Sequence, residues 1–213
     1  LYAVFLNGDE LKLDDEKAYN ETYSMDGSVV CYENEEDELV IIREGEVIRT
    51  GIDEAQGVWI SNSGDTMLFY TDCEYVDYYD ALYEYKDSIK VGTLNLYDIK
   101  KKDSVEIEEE VVVDSAVLSP DGKTVAYVAE YEATDDFKSF ISVNGKEPEE
   151  FGKEKHIFAI SDKATYVYYT DEDRLYVQKK DQEEKLASGL QYVEVMFNED
   201  NTTEQMIITT LIK

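Results

Sequence analysis

The sequence predicts an all-β fold: a five-bladed β-propeller of four-stranded antiparallel blades, with residues 1–213 forming one domain. Three observations carry that reading. A Ser-led turn flanked by apolar runs recurs along the chain. The runs are short and rich in β-branched and aromatic residues, as strands prefer. The chain ends hold complementary halves of the repeating unit. The turns are Tyr23-Ser24-Met25-Asp26-Gly27, Ile60-Ser61-Asn62-Ser63-Gly64, Leu118-Ser119-Pro120-Asp121-Gly122 and Ile160-Ser161-Asp162-Lys163-Ala164, with a degenerate copy at Phe197-Asn198-Glu199-Asp200-Asn201. Successive copies lie 37, 58, 42 and 37 residues apart. Apart from the 58, this is close to the ~40–45 residues of a four-stranded blade.

The elements follow in order. Leu1–Leu6, the Asn7-Gly8 turn and Glu10–Leu13 read as a third strand, a hairpin and a fourth strand. Each later unit then places a first strand before its Ser turn and a second strand after it, such as Met67–Tyr70, Val125–Val128 and Tyr166–Tyr169. Third strands at Leu39–Ile42, Phe140–Val143 and Leu175–Val177 lead to hairpin tips at Glu44-Gly45, Asn144-Gly145 and Lys180-Asp181. Asn-Gly between alternating apolar residues is a strong hairpin signal. In the most complete turn, Pro120 presets φ, Asp121 can bond its own backbone, and Gly122 supplies a positive φ. Residues 73–90 are an insertion between the second and third strands of the second unit. Tyr75, Tyr78, Tyr79, Leu82 and Tyr83 fall there at roughly helical spacing, which leaves room for one short helical turn. The chain finishes with a first strand near Tyr192–Phe197 and a second near Gln205–Thr210. Residues 1–13 and 191–213 together would make one blade, closing the ring and removing its open edge.

The run Ser119–Val128 (Ser-Pro-Asp-Gly-Lys-Thr-Val-Ala-Tyr-Val) resembles the TolB-like, WD-repeat-like family of bacterial propellers. Leu94-Asn95-Leu96-Tyr97-Asp98, after an acidic and Tyr-rich insertion, looks like secreted or membrane-tethered clostridial propellers. Only Ser119–Gly122 matches the turn motif in full. Ser24–Gly27 lacks the Pro, Ser61–Gly64 lacks Pro and Asp, and the last two copies lack the Gly. The resemblance implies a protein- or ligand-binding scaffold outside the cytoplasm, and it offers no catalytic residues to carry over.

Charge narrows the partners. Fifty Asp and Glu against twenty Lys and Arg leave a net charge of −30. Gripping nucleic acid needs a concentrated positive field, so nucleic acid is not an expected partner. Docking on an anionic membrane surface is equally disfavoured. No stretch approaches the ~18–20 apolar residues of a membrane helix, so the domain itself is not expected to insert. The chain starts at Leu1 on a strand-like run, as a mature domain or an excised part of a longer protein would. Two cysteines, Cys31 and Cys73, make neither a disulfide framework nor a zinc site. Cys31 sits in an apolar strand and reads as a small core residue, with a Cys31–Cys73 bridge as the alternative.

No catalytic motif emerges. His156 is the only histidine and lies on a first strand, where a Ser-His-Asp arrangement would have to use it. Phosphate-binding glycine loops are lacking. Asp114 and Glu194, both read as first-strand residues, are a candidate carboxylate pair for a carbohydrate-active hydrolase, whose chemistry needs two carboxylates ~5–9.5 Å apart. No cofactor is expected. Adventitious calcium would find oxygen ligands at Asp171-Glu172-Asp173 and Asn198-Glu199-Asp200-Asn201, which are also ordinary turn sequences. Two binding surfaces are candidates. Aligned on the turns, Tyr19, Gln56, Asp114, His156 and Val193 form one column, and Asn20, Gly57, Ser115, Ile157 and Glu194 the next. Columns nearer the turn are mostly apolar. Tyr19, Gln56, Asp114, His156 and Glu194 are thus expected at a polar channel mouth, either holding a small ligand or solvating the rim. In the insertion, Tyr75, Tyr78, Tyr79 and Tyr83 are a candidate protein-interaction surface, since Tyr offers area plus a hydroxyl. The alternative is a hairpin packing its tyrosines on a neighbouring blade. The expected function is a non-catalytic scaffold binding an unknown protein or small ligand, as the extracytoplasmic ectodomain of a secreted or membrane-anchored bacterial protein.

Overall fold

The computed structural model describes residues 2–4, 10–12, 17–80, 85–133, 136–180, 182–197 and 203–210. It is all-β apart from one 3-10 turn at Asp162–Ala164. A two-stranded ladder, β1 (Tyr2–Val4) and β2 (Glu10–Lys12), comes first. Four antiparallel sheets of four strands follow, each in chain order. The first blade is β3 (Tyr19–Tyr23), β4 (Val29–Glu33), β5 (Glu38–Arg43) and β6 (Glu46–Asp53). The second is β7 (Gln56–Ile60), β8 (Thr66–Asp80), β9 (Tyr85–Asp98) and β10 (Asp103–Val112). The third is β11 (Val117–Leu118), β12 (Thr124–Ala133), β13 (Asp136–Val143) and β14 (Glu149–Lys153). The fourth is β15 (His156–Ile160), β16 (Tyr166–Asp171), β17 (Arg174–Lys179) and β18 (Gln182–Ser188). A second ladder, β19 (Leu190–Phe197) and β20 (Thr203–Thr210), ends the chain. The strand pairs formed among the described residues keep β1–β2 and β19–β20 as separate sheets.

The Ser turns explain the repeat. Ser24, Ser61, Ser119 and Ser161 are all buried, and each closes its turn with the same three bonds. The Ser N–H donates to the carbonyl five residues on, at Val29, Thr66, Thr124 or Tyr166. The N–H of that same residue donates back to the Ser Oγ at 2.8–3.2 Å. The Ser carbonyl accepts the N–H three residues on, at Gly27, Gly64, Gly122 or Ala164. A serine is needed because its short hydroxyl takes the ladder amide that the turn would otherwise bury unpaired. Where the motif carries Asp, the Ser hydroxyl donates to it: Ser24 to Asp26 at 2.7 Å and Ser119 to Asp121 at 2.8 Å. Asp121 also accepts the Lys123 N–H at 3.0 Å.

The turns also join the blades. Gly122, at φ 71°, lies so close to the second blade's turn that a Cβ there would sit 2.6 Å from Thr66 Oγ1 and 2.9 Å from Ser61 Cβ. The fourth turn bonds the third directly. Asp121 N–H donates to Asp162 Oδ1 at 2.9 Å, and Lys163 N–H donates to Thr124 Oγ1 at 3.0 Å.

Between these turns the blades bury apolar faces against one another. Val29, Cys31, Leu39 and Ile41 of the first blade meet Met67, Phe69, Tyr97 and Ile99 of the second and its flanks. Leu68, Tyr70 and Leu94 meet Val125, Tyr127 and Ala129 of the third. Ala126 and Ile141 meet Ile157, Ile160 and Val167 of the fourth. Each second strand contributes one fully buried tyrosine: Tyr32, Tyr70, Tyr127 and Tyr169. Cys31 packs its Sγ 3.5 Å from Met67 Sδ, and burial pushes its thiol up to about 12. Both cysteines are free, so the alternative of a Cys31–Cys73 bridge is set aside.

One local expectation is corrected. Residues 73–80 and 85–90 are strand, not a helical turn: β8 and β9 stay paired from Glu74↔Val91 to Asp80↔Tyr85. The β-branched residues Val76, Ile89 and Val91 and the pairing across the ribbon outweigh the helical spacing of the tyrosines.

Gly122→Ala adds both backbone strain and a steric conflict, whereas nothing lies within 4 Å of a Cβ at Gly27 (φ 71°). Denaturant unfolding is therefore expected to show Gly122→Ala costing about 1–3 kcal/mol more than Gly27→Ala. Equal costs would mean that the turns do not pack on one another.

Candidate functional site

At the end of the first strands remote from the Ser turns, the first two blades frame a cleft of about 820 Å³. Asn20 and Thr22 on β3 and Glu33 on β4 line one side. Gln56, Gly57 and Trp59 on β7 line the other, with Asp37 and Glu54 from the loops. The same irregularity opens both strands. The β3–β4 register slips between Tyr19 and Thr22, and the β7–β8 register slips between Gln56 and Trp59. The residue in each bulge has positive φ, 52° at Asn20 and 55° at Gly57. Bulges re-aim side chains in this way at sheet ends. Gly57 has a second constraint: a Cβ there would come within 2.7 Å of the Trp59 ring. Trp59 in turn meets Tyr70 edge-on, with ring centroids 5.9 Å apart. Tyr70 O–H donates to the Val112 carbonyl and accepts the Ala116 N–H, both at 3.1 Å. Burial pushes this phenol up to about 12.

The polar groups are partly committed. Asn20 Nδ2 donates to Glu33 Oε2 at 2.8 Å. Lys90 Nζ donates to Gln56 Oε1. Among the described residues the Gln56 amide nitrogen and the Asn20 side-chain oxygen have no hydrogen-bond partner, and Trp59 lines the same cleft. Glu21, Glu33, Asp37 and Glu54 give the lining a negative field, and no Lys or Arg is among the lining residues. The cleft therefore disfavours anions and suits neutral or cationic molecules with hydrogen-bonding groups.

Of the five residues expected at the mouth, Gln56 lines this cleft; Tyr19, Asp114, His156 and Glu194 do not. Tyr19 begins β3 and is 48% exposed. Asp114 is not on a first strand: it occupies an exposed turn before β11, at φ 66°. Ser115, beside it, bonds the Val112 carbonyl through its N–H and its hydroxyl. His156 begins β15 with its ring centroid 4.1 Å from that of Phe137. The residue is exposed overall, yet burial of its ring lowers its pKa, and Phe137 is a ring packed against it. Glu194, exposed on β19, accepts the Tyr192 O–H at 3.0 Å. Neither member of the Asp114–Glu194 carboxylate pair lies in the cleft. Glu33, Asp37 and Glu54 were missed, because they come from a second strand and two loops rather than a first-strand column.

The other candidates are placed as follows. Tyr75 on β8 is 70% exposed, with Lys90 Nζ 5.7 Å over its ring. Tyr78 and Tyr79 pair with Asp87 and Lys86 along the ribbon. Tyr83 lies outside the described residues. Glu172 forms the β16–β17 tip and pairs with Arg174 at 3.4 Å, and Asp173 accepts the Gly189 N–H. Residues 198–201 lie outside the described residues. Among the described residues no three His, Cys, Asp or Glu side chains are grouped to hold a metal ion, and no helix is long and apolar enough to cross a membrane.

No family model and no curated protein matches the chain. Its fold is similar to solved structures. The tricorn protease aligns with a TM-score of 0.58 at 7% identity, over 96% of this chain and 28% of that one. Dipeptidyl peptidase 4 of Porphyromonas gingivalis aligns with a TM-score of 0.59 at 10% identity, over 91% and 36%. An oligogalacturonate lyase, solved in complex with manganese, aligns with a TM-score of 0.57 at 15% identity, over 94% and 62%. The chain thus spans about a third of the length of the two peptidases. At these identities the likeness defines a β-propeller-like fold and nothing about chemistry.

Histidine NMR titration is expected to find His156 with a pKa below the usual 6.5 or so. Phe137→Ala should raise it toward that value by rehydrating the ring. An unchanged midpoint would show that Phe137 is not the cause.

Proposed function

We propose that the chain is a closed five-bladed propeller serving as a non-catalytic binding scaffold, and that it holds a small neutral or cationic ligand in the cleft at Gln56. The cleft is the observation that carries this reading: a concave site with two open amide groups, an aromatic wall and a negative field. Burial supports ring closure. Tyr32 and Val40 are fully buried, although they lie on the face of the first blade turned away from the second. A covering blade accounts for this, and β1–β2 with β19–β20 supply the four strands it needs. At the other end Tyr168 of the fourth blade meets Phe197 of β19, with centroids 6.0 Å apart. A net charge of −30 suits a soluble domain kept off anionic surfaces, which supports the TolB-like reading of an extracytoplasmic domain of a secreted or anchored bacterial protein.

Saturation-transfer NMR against neutral oligosaccharides, diamines and short peptides tests the reading. At least one class should bind the native chain, unaltered over the experiment, and Gln56→Leu should weaken it about tenfold, the loss of a hydrogen-bonding anchor. Hydrolysis of a glycoside would instead establish the carbohydrate-active alternative. A panel without a binder would remove the cleft from consideration.

A further inference from the structure

The second and third blades extend their middle hairpins beyond the rest of their sheets. β8 and β9 continue past Tyr70, where β7 stops pairing, and past Val91, where β10 stops, to reach Asp80↔Tyr85. β12 and β13 continue to Ala133↔Asp136. Antiparallel order puts both arms at the end opposite the Ser turns, the end that also holds the Gln56 cleft. Beyond their blades the ribbons have no third strand among the described pairs, so their outer backbone groups are open to a further strand.

A separate cleft of about 440 Å³ lies between the second and third blades at the base of these arms. Val76, Ala129 and Phe140 give it an apolar floor. Asp77, Glu108, Glu109, Glu110 and Glu130 form its rim. Lys138 engages Glu130, and Tyr127 O–H donates to Glu108 at 3.4 Å. Asp77, Glu109 and Glu110 have no side-chain partner among the described residues. The β10 register also lapses between Glu108 and Val111, leaving the Glu109 and Glu110 backbone outside the ladder.

We propose that this inter-arm cleft seats an extended peptide segment in which Lys or Arg alternates with apolar residues. Side chains of an extended strand alternate between two faces, so one set reaches the apolar floor while the other meets the carboxylate rim. The open ribbon edges supply backbone hydrogen bonds, as in recognition by strand addition. Charge complementarity selects a cationic segment over an acidic or neutral one. The partner is a protein rather than a small molecule, because the cleft adjoins ribbon edges whose backbone groups only another chain segment can pair along their length.

The test must separate this cleft from the bulk charge of the chain. The probe is a fluorescein-labelled peptide, Gly-Lys-Val-Lys-Val-Lys-Val-Gly, followed by anisotropy. Its composition-matched control is Gly-Lys-Lys-Lys-Val-Val-Val-Gly. Saturable binding of the alternating peptide is expected, about tenfold weaker in Asp77→Asn/Glu109→Gln/Glu110→Gln. The charge-matched variant Glu36→Gln/Glu172→Gln/Glu184→Gln, altered at exposed sites elsewhere, should change it by less than about twofold. All substitutions are of exposed side chains, and a shared melting temperature verifies that both variants fold. Equal losses in the two variants, equal affinity for the two peptides, or no saturable binding would each overturn the proposal. The readout does not involve Gln56, so it fails or succeeds separately from the ligand site.

Discussion

The structure depends on one hydrogen-bonded device, the buried serine that closes each first-to-second-strand turn. A turn buried between blades would strand the amide of the next ladder residue without water. The Ser hydroxyl accepts that amide in all four copies, and an unpaired buried amide costs about 1–3 kcal/mol. With the turn satisfied it can be buried, and once buried it can touch the turn of the next blade. The fourth copy lacks glycine and keeps the same bonds by a 3-10 turn, holding Lys163 and Ala164 at positive φ of 57° and 53°. The backbone pattern is therefore retained even where the residue at the strained position is not the one that relieves strain.

From this constraint the rest follows outward. Turn contacts set the spacing of the blades at one end, and apolar faces fill the space between them. Buried tyrosines lie on those faces, and their phenols bond neighbouring elements: Tyr70 the loop before β11, Tyr127 Glu108, and Tyr169 Glu183 and Lys155. Carboxylates collect on the outer strands, where they stay hydrated: β10 and β18 are mostly exposed. A charge of −30 is compatible with such a fold because the repulsion is spread along the outer rim. The opposite end is looser. Bulges at Asn20 and Gly57 open the first strands, and the hairpins of two blades run on into arms. Lys90, at the base of one arm, holds Gln56 in the first cleft, while the inter-arm cleft is lined by other residues.

Much of the architecture was legible because a blade repeats short signals. The Ser turns, the glycine positions, the Asn144-Gly145 hairpin and the strand-like character of both chain ends all appear where their residue types demand. The insertion left room for a helical turn because its tyrosines fall at helical spacing, whereas the strand pairing from Glu74↔Val91 to Asp80↔Tyr85 makes it a ribbon. The site was legible only in part. Counting back from each turn assumes an uninterrupted strand, and β3, β7 and β15 are each bulged. That brought Asn20, Gly57, Thr22 and Trp59 to the cleft from neighbouring columns. Asp114 fell out because β11 is two residues long and a turn replaces its start. Of these bulges only the one at Gly57 carries a glycine; the one in β3 places Asn20 at positive φ, and the one in β15 has no positive-φ residue to mark it.

Native-state hydrogen exchange tests the central role of the turns most directly. The amides of Val29, Thr66, Thr124 and Tyr166, bonded to the four serines, and those of Asp121 and Lys163, bonded across the third and fourth blades, are the reporters. If the turns hold the blades together, these amides exchange only with global unfolding and share one opening free energy with the core strands. Exchange at the rates of surface loops, with the strands still protected, would contradict the account.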